Sequence, residues 1–237
     1  MMAEGFADEV ACLIDGSHTL RNVRRDFPEW HLGRSPFVFW ALDVDIPAVR
    51  ERIGEAAQHM AGLLLDDYCR QSHITLDLCG FPADPPQHAD DFGSEFLQKQ
   101  FAALRQAGLL VFEIELGGLS SFSSAPFLKV IDRGGYLNAL RTCLAVEGSH
   151  RLFGNYVPHV TVGLYAEAWP VDGIQRRLAS FQAEAALSCR IERVSLMSYN
   201  PSEVAGPLNT LGDYWFASGE MRWHAAARKL GFSDFPG

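Results

Sequence analysis

Ser72-His73-Ile74-Thr75-Leu76-Asp77-Leu78 returns 86 residues later as Pro158-His159-Val160-Thr161-Val162-Gly163-Leu164. Both stretches read His, aliphatic, Thr, aliphatic, and both are apolar runs with β-branched residues, which is a strand signature. In a strand, residues i and i+2 share a face. His73 and Thr75 therefore point one way and Ile74 and Leu76 the other. The same division puts His159 and Thr161 on one face and Val160 and Val162 on the opposite one. With eight histidines and five threonines in 237 residues, chance placement gives about 0.2 His-x-Thr triplets in the chain. Two copies, each in an apolar run, are the feature around which the rest of the sequence is read.

The elements flanking the two copies correspond in order. Phe37 to Leu42 reads as a buried strand, and Asp45 and Pro47 mark a helix start with Val49, Ile53, Ala56, Met60 and Leu63 on one face. The first His-x-Thr strand ends at Cys79-Gly80-Phe81-Pro82, and Ala83 to Gly93 reads as a loop. A helix from Ser94 follows, with Leu97, Phe101 and Leu104 on one side and Gly108 at its end. Leu109 to Leu116 is an expected strand, and Gly117 to Ser124 an expected loop. In the second half, Pro126 to Ile131 reads as a strand and Tyr136 to Val146 as a helix. The second His-x-Thr strand comes next, then a helix carrying Ile174, Leu178 and Phe181, then one strand from Leu187 to Ser198. Each half thus reads β-α-β-α-β, an internal duplication of one supersecondary unit. The expected architecture is α+β: two related lobes with antiparallel sheets flanking a central groove.

Three segments follow from this reading: an N-terminal arm over 1–34, a duplicated domain over 35–199, and a C-terminal extension over 200–237 packed on that domain. The extension is expected to hold a strand with Trp215 and Phe216 and a short helix over Met221 to Leu230. The arm mixes aromatic and basic residues at Arg21 to Arg25 and Trp30 to Arg34. It reads as a segment packed on the domain surface, or as a cover over a phosphate-bearing ligand.

Composition narrows the possible functions. The formal net charge of −9 disfavours a general duplex nucleic-acid binder, whose affinity comes mostly from phosphate neutralisation. Five cysteines without a Cys-x-x-Cys pair suggest neither a disulfide framework nor a zinc site. The N-terminus is acidic and lacks a basic leader, and no apolar run reaches membrane-spanning length. These features give a cytoplasmic expectation, with no membrane partner and no metal or other cofactor. His18, His31, His59, His88, His150 and His224 show no metal-ligand spacing. A serine-hydrolase elbow, a P-loop and a dinucleotide fingerprint are all missing from the sequence.

An imidazole titrates near neutrality and can take or give a proton in the working range. Two opposed imidazoles suit an in-line displacement, one activating the nucleophile and the other protonating the leaving oxygen. The hydroxyls of Thr75 and Thr161 would donate to non-bridging oxygens as charge grows on them. A phosphodiester fits this arrangement, and a strained five-membered cyclic phosphate fits it best.

On these residues the chain resembles the 2H phosphoesterases, a superfamily that includes the bacterial enzymes called 2′-5′ RNA ligases and the 2′,3′-cyclic nucleotide phosphodiesterases. The resemblance rests on both His-x-Thr motifs and the order of elements over roughly 36–198, including the loop Leu119-Ser120-Ser121-Phe122. It implies a bilobal fold, an RNA end or small cyclic nucleotide as substrate, and no metal. By the same resemblance His159 is the base that activates water and His73 the acid that protonates the departing ribose oxygen, leaving a 2′-phosphate. RNA 2′-5′ ligation or cleavage of a 2′-5′ linkage would use the same residues. A nucleotide-binding module without catalysis is the alternative of a different class. Further candidate ligand contacts are Ser121 as a phosphate donor, Phe122 and Tyr156 for stacking on a base, and Tyr165, which continues the face of His159 and Thr161. Arg151 and Lys129 are candidates for neutralising phosphate.

Overall fold

The computed structural model describes residues 13–147, 156–182 and 185–228. Along the chain the elements are α1 (Pro28–His31), β1 (Phe37–Asp43), α2 (Pro47–His59), β2 (His73–Pro82), β3 (Asp91–Phe92), α3 (Ser94–Ala107), β4 (Phe112–Ser121) and β5 (Pro126–Ile131). They continue with α4 (Tyr136–Leu144), β6 (His159–Thr161), α5 (Val171–Ala179), β7 (Leu187–Ile191), β8 (Arg193–Tyr199), β9 (Asn209–Trp215), β10 (Glu220–Trp223) and α6 (Ala225–Arg228). They form a six-stranded sheet, ordered β10-β9-β8-β1-β2-β3, and a four-stranded sheet, ordered β6-β5-β4-β7. The fold is α+β with two largely antiparallel sheets.

β1 shows why an uninterrupted apolar run makes a central strand. Val38, Trp40 and Leu42 enter the main core, while Phe39 and Ala41 point the other way and pack with Met197 and Leu208. Both faces are covered, so the strand has no polar face to offer water. On the core side, Val49 and Ala56 of α2 and Phe96, Leu97, Phe101 and Leu104 of α3 supply the opposing surface. Gln100, fully buried, ties this layer together. Its Oε1 accepts from Trp40 Nε1 at 2.7 Å, and its Nε2 donates to Asp77 Oδ2 at 3.0 Å and to the Leu144 carbonyl at 2.9 Å. α3 stops at Gly108, whose φ of 56° is the left-handed conformation that ends helices.

The duplication is present, but the two sheets are not the two halves of the sequence. The last strand of the first unit, β4, pairs with β5 of the second, and β8 of the second unit pairs with β1 of the first. Each unit gives its closing strand to the other's sheet. The single strand expected over 187–198 is therefore two strands. The chain leaves the four-stranded sheet after Ile191 and joins the six-stranded sheet at Arg193. The loop expected from Gly117 is a bulge: the β4–β5 register shifts between Leu116 and Leu119, and pairing resumes to Ser121. β9 and β10 extend the six-stranded sheet beyond β8. Met221 lies in β10 rather than in the expected helix, and the helix is confined to Ala225–Arg228 among the described residues. No helix of the described residues is long and apolar enough to cross a membrane.

Candidate active site at the paired His-x-Thr strands

The two motifs occupy equivalent places in the two sheets. His73 opens β2 opposite Asp43 of β1, with Thr75 opposite Ala41. His159 opens β6 opposite Lys129 of β5, with Thr161 opposite Phe127. Ile74 and Val160 between them are buried in the core, at 0% and 1% exposure, and anchor each motif from behind. The period-2 expectation thus holds at both strands.

The two imidazoles are held in the same way. His73 Nδ1 is 2.8 Å from the Gln71 carbonyl, and His159 Nδ1 is 2.8 Å from the Val157 carbonyl. A carbonyl can only accept, so each Nδ1 carries the proton and each Nε2 keeps its lone pair when the ring is neutral. Aromatic rings fix the imidazole planes. Phe39 lies 5.6 Å from His73, and Phe122 and Phe127 lie 4.8 and 5.4 Å from His159. Burial lowers the pKa of both histidines. His73 falls to about 4, mainly by desolvation, with smaller contributions from the nearby charges of Arg70 and His159. His159 is lowered as well, again by burial. Both rings are neutral at pH 7 in the free protein.

His73, Thr75, His159 and Thr161 line one cavity of about 370 Å³, within the range of small-molecule sites. Phe27 and Trp30 of the arm, Tyr68, Arg70, Phe122, Tyr199 and the 201–205 segment complete its wall. The arm is laid along the site by backbone and side-chain bonds. Leu20 N donates to the Ser123 carbonyl at 2.7 Å, and Asn22 Nδ2 donates to the carbonyls of Ser124 and Tyr165 at 2.9 and 3.0 Å. Arg34, the basic end of the arm, is directed away into an ion pair with Asp90 and Asp91.

The remaining sequence candidates separate. Phe122 lines the cavity, edge-on to His159. Ser121 and Tyr165 do not. Both are fully buried, and their hydroxyls lie 2.6 Å apart. Tyr165 falls four residues beyond the end of β6, so strand alternation no longer governs where it points. Tyr156 also lies off the cavity. Its hydroxyl donates to the Thr75 carbonyl at 2.9 Å, its ring carries the Arg141 guanidinium at 3.6 Å, and its pKa is raised to about 12 by burial. It braces the first motif from behind. Lys129 is opposite His159 in register but is not among the cavity-lining residues, and Arg151 lies outside the described residues. Tyr68, Arg70 and Tyr199 are in the wall although no sequence pattern marks them. Burial pushes the pKa of Tyr68 up.

A model of the 2′-5′ RNA ligase superfamily matches residues 46–203, two thirds of the chain. The chain belongs to this superfamily, that of the 2H phosphoesterases. Phe27 and Trp30, which also line the cavity, lie outside the matched span. Among solved structures, E. coli LigT complexed with 3′-AMP is similar at a TM-score of 0.49 and 16% identity, over 76% of this chain and 98% of that one. TT0787 of Thermus thermophilus is similar at 0.48 and 17%, over 76% and 97%. No curated protein matches.

Proposed function

We propose that this member of the superfamily hydrolyses a 2′,3′-cyclic phosphate, at an RNA end or on a nucleotide, to a 2′-phosphate. One observation carries the reading: two histidines from two sheets, each with Nδ1 tied to a carbonyl, line a single cavity beside two threonine hydroxyls. In this reading His159 Nε2 takes a proton from water as its oxygen attacks phosphorus. The bond from phosphorus to O3′ breaks, and His73 Nε2–H delivers its proton to O3′. Thr75 and Thr161 donate to the non-bridging oxygens. His73 must be charged to act as the acid, and burial opposes this in the free protein. A phosphate anion beside it favours the charged form and supplies the missing stabilisation. Phe122, Phe27 and Trp30 offer aromatic faces to a base.

The experiment is product analysis with a 2′,3′-cyclic mononucleotide and a cyclic-phosphate RNA in EDTA. Release of the 2′-phosphate is expected. Binding without turnover would identify a nucleotide-binding module instead, and a 3′-phosphate product would refute cleavage of the bond from phosphorus to O3′. The superfamily's name carries RNA ligation, in which a 5′-hydroxyl takes the place of water in opening the cyclic phosphate. A 2′-5′-linked dinucleotide assayed alongside distinguishes the two.

A further inference from the structure

We infer that Arg70 is the anion-anchoring residue of this cavity, placed to take the negative charge of a singly charged phosphodiester through its guanidinium. The inference rests on the proposed phosphoester chemistry and names the group that would neutralise it.

Arg70 is the single Lys or Arg among the described residues that line the cavity, which it shares with both histidines and both threonines. It makes no ion pair among the described residues, unlike Arg34 and Arg193. Arg34 is held by Asp90 and Asp91, and Arg193 by Asp43 and Asp213. The guanidinium is nonetheless fixed in place. Its Cζ sits 4.3 Å from the centroid of the Tyr199 ring. Its Nε is buried with no hydrogen-bond partner. A guanidinium serving only packing would have its donors satisfied. Here Nε–H is left without a partner on a charged group that lines the same cavity as the two imidazoles.

The one carboxylate in the same wall is Glu203, whose Oε1 accepts from Asn200 Nδ2 at 3.1 Å. The wall thus carries one formal positive charge, next to the histidines, and one negative charge on the 201–205 segment. That balance suits a phosphodiester with one negative charge better than a polyphosphate. A guanidinium is also the side chain whose donors match two phosphate oxygens at once.

The test is calorimetric titration of inorganic phosphate into wild type and Arg70→Gln, with kcat/KM for a 2′,3′-cyclic mononucleotide measured on both. Phosphate affinity is expected to fall about tenfold or more, and kcat/KM about 10²-fold. Arg70→Gln binding phosphate within about twofold of wild type would overturn the inference, whatever happens to turnover. A second measurement needs no variant. In wild type, the Arg70 Nε–H resonance should shift on phosphate addition and saturate at the calorimetric Kd, and a resonance that does not move overturns the inference. If wild type binds phosphate through Arg70 but hydrolyses no cyclic nucleotide, the proposed reaction fails and the Arg70 assignment stands.

Discussion

The Tyr156 hydroxyl donates to the Thr75 carbonyl at 2.9 Å, which joins the segment leading into the second motif to the strand of the first. Tyr156→Phe removes that bond and leaves the ring. Turnover of a cyclic phosphate is expected to fall about tenfold, with a stability change of about 1 kcal/mol. Thr75→Val should lower turnover at least as much. A Tyr156→Phe enzyme with wild-type kcat/KM would show that the bond has no part in positioning the first motif.

His73→Ala and His159→Ala should each cost about 10²–10⁴-fold in turnover while the protein stays folded. The wild-type kcat/KM profile should be bell-shaped, with two apparent values belonging to the pair. Burial lowers both histidines from 6.5, His73 to about 4. The maximum for free enzyme and substrate therefore falls on the acid side of the ordinary histidine value. A monotonic profile, or a maximum on the alkaline side, would contradict a pair of buried imidazoles acting as acid and base.

The same burial makes stability depend on pH. His73 is unprotonated in the fold down to about pH 4, while an unfolded histidine takes up a proton near 6.5. Between those values the unfolded chain binds the extra proton, so stability falls as pH drops. The full contribution is present above about 6.5 and amounts to on the order of 3 kcal/mol across the window. Urea unfolding at pH 7 and pH 5, compared between wild type and His73→Gln, isolates it from the carboxylates. Wild type should lose more stability on acidification than the variant; equal losses would show that His73 is not buried neutral.

Ser121 and Tyr165 are fully buried and are not among the residues that line the cavity. Ser121 Oγ donates to the carbonyls of Phe122 and Ala125, at 2.7 and 3.2 Å, and sits 2.6 Å from the Tyr165 hydroxyl. Ser121→Ala leaves these buried partners without their hydroxyl and should cost about 1–3 kcal/mol, read by thermal or urea unfolding. kcat/KM should stay near wild type. A loss of about 10²-fold in kcat/KM at unchanged stability would return Ser121 to the phosphate.

The sequence disclosed the two motifs because a strand alternates with period two and buries every second residue, and Ile74 and Val160 do so. It disclosed the order of elements because helix and strand periods differ. It could not disclose the exchange of closing strands. Leu187 to Ser198 is one continuous β-favouring run, and only pairing partners reveal that the chain changes sheets around Glu192. Tyr165 leaves the face expected for it because β6, and with it the alternation, ends at Thr161. Tyr68 and Arg70 lie in an irregular segment with no period to read, and Arg70 is placed in the wall against Tyr199, distant in the chain.

The central claim is that His73 and His159 address one phosphate. The direct measurement is a titration of the protein, labelled with ¹⁵N in its histidine rings, with a nucleoside 2′-phosphate. The Nε2 signals of both residues should move together, saturate at one equivalent and report one Kd. Signals that follow different Kd values, or a signal from either ring that stays fixed at saturation, would mean that the two imidazoles do not share a phosphate.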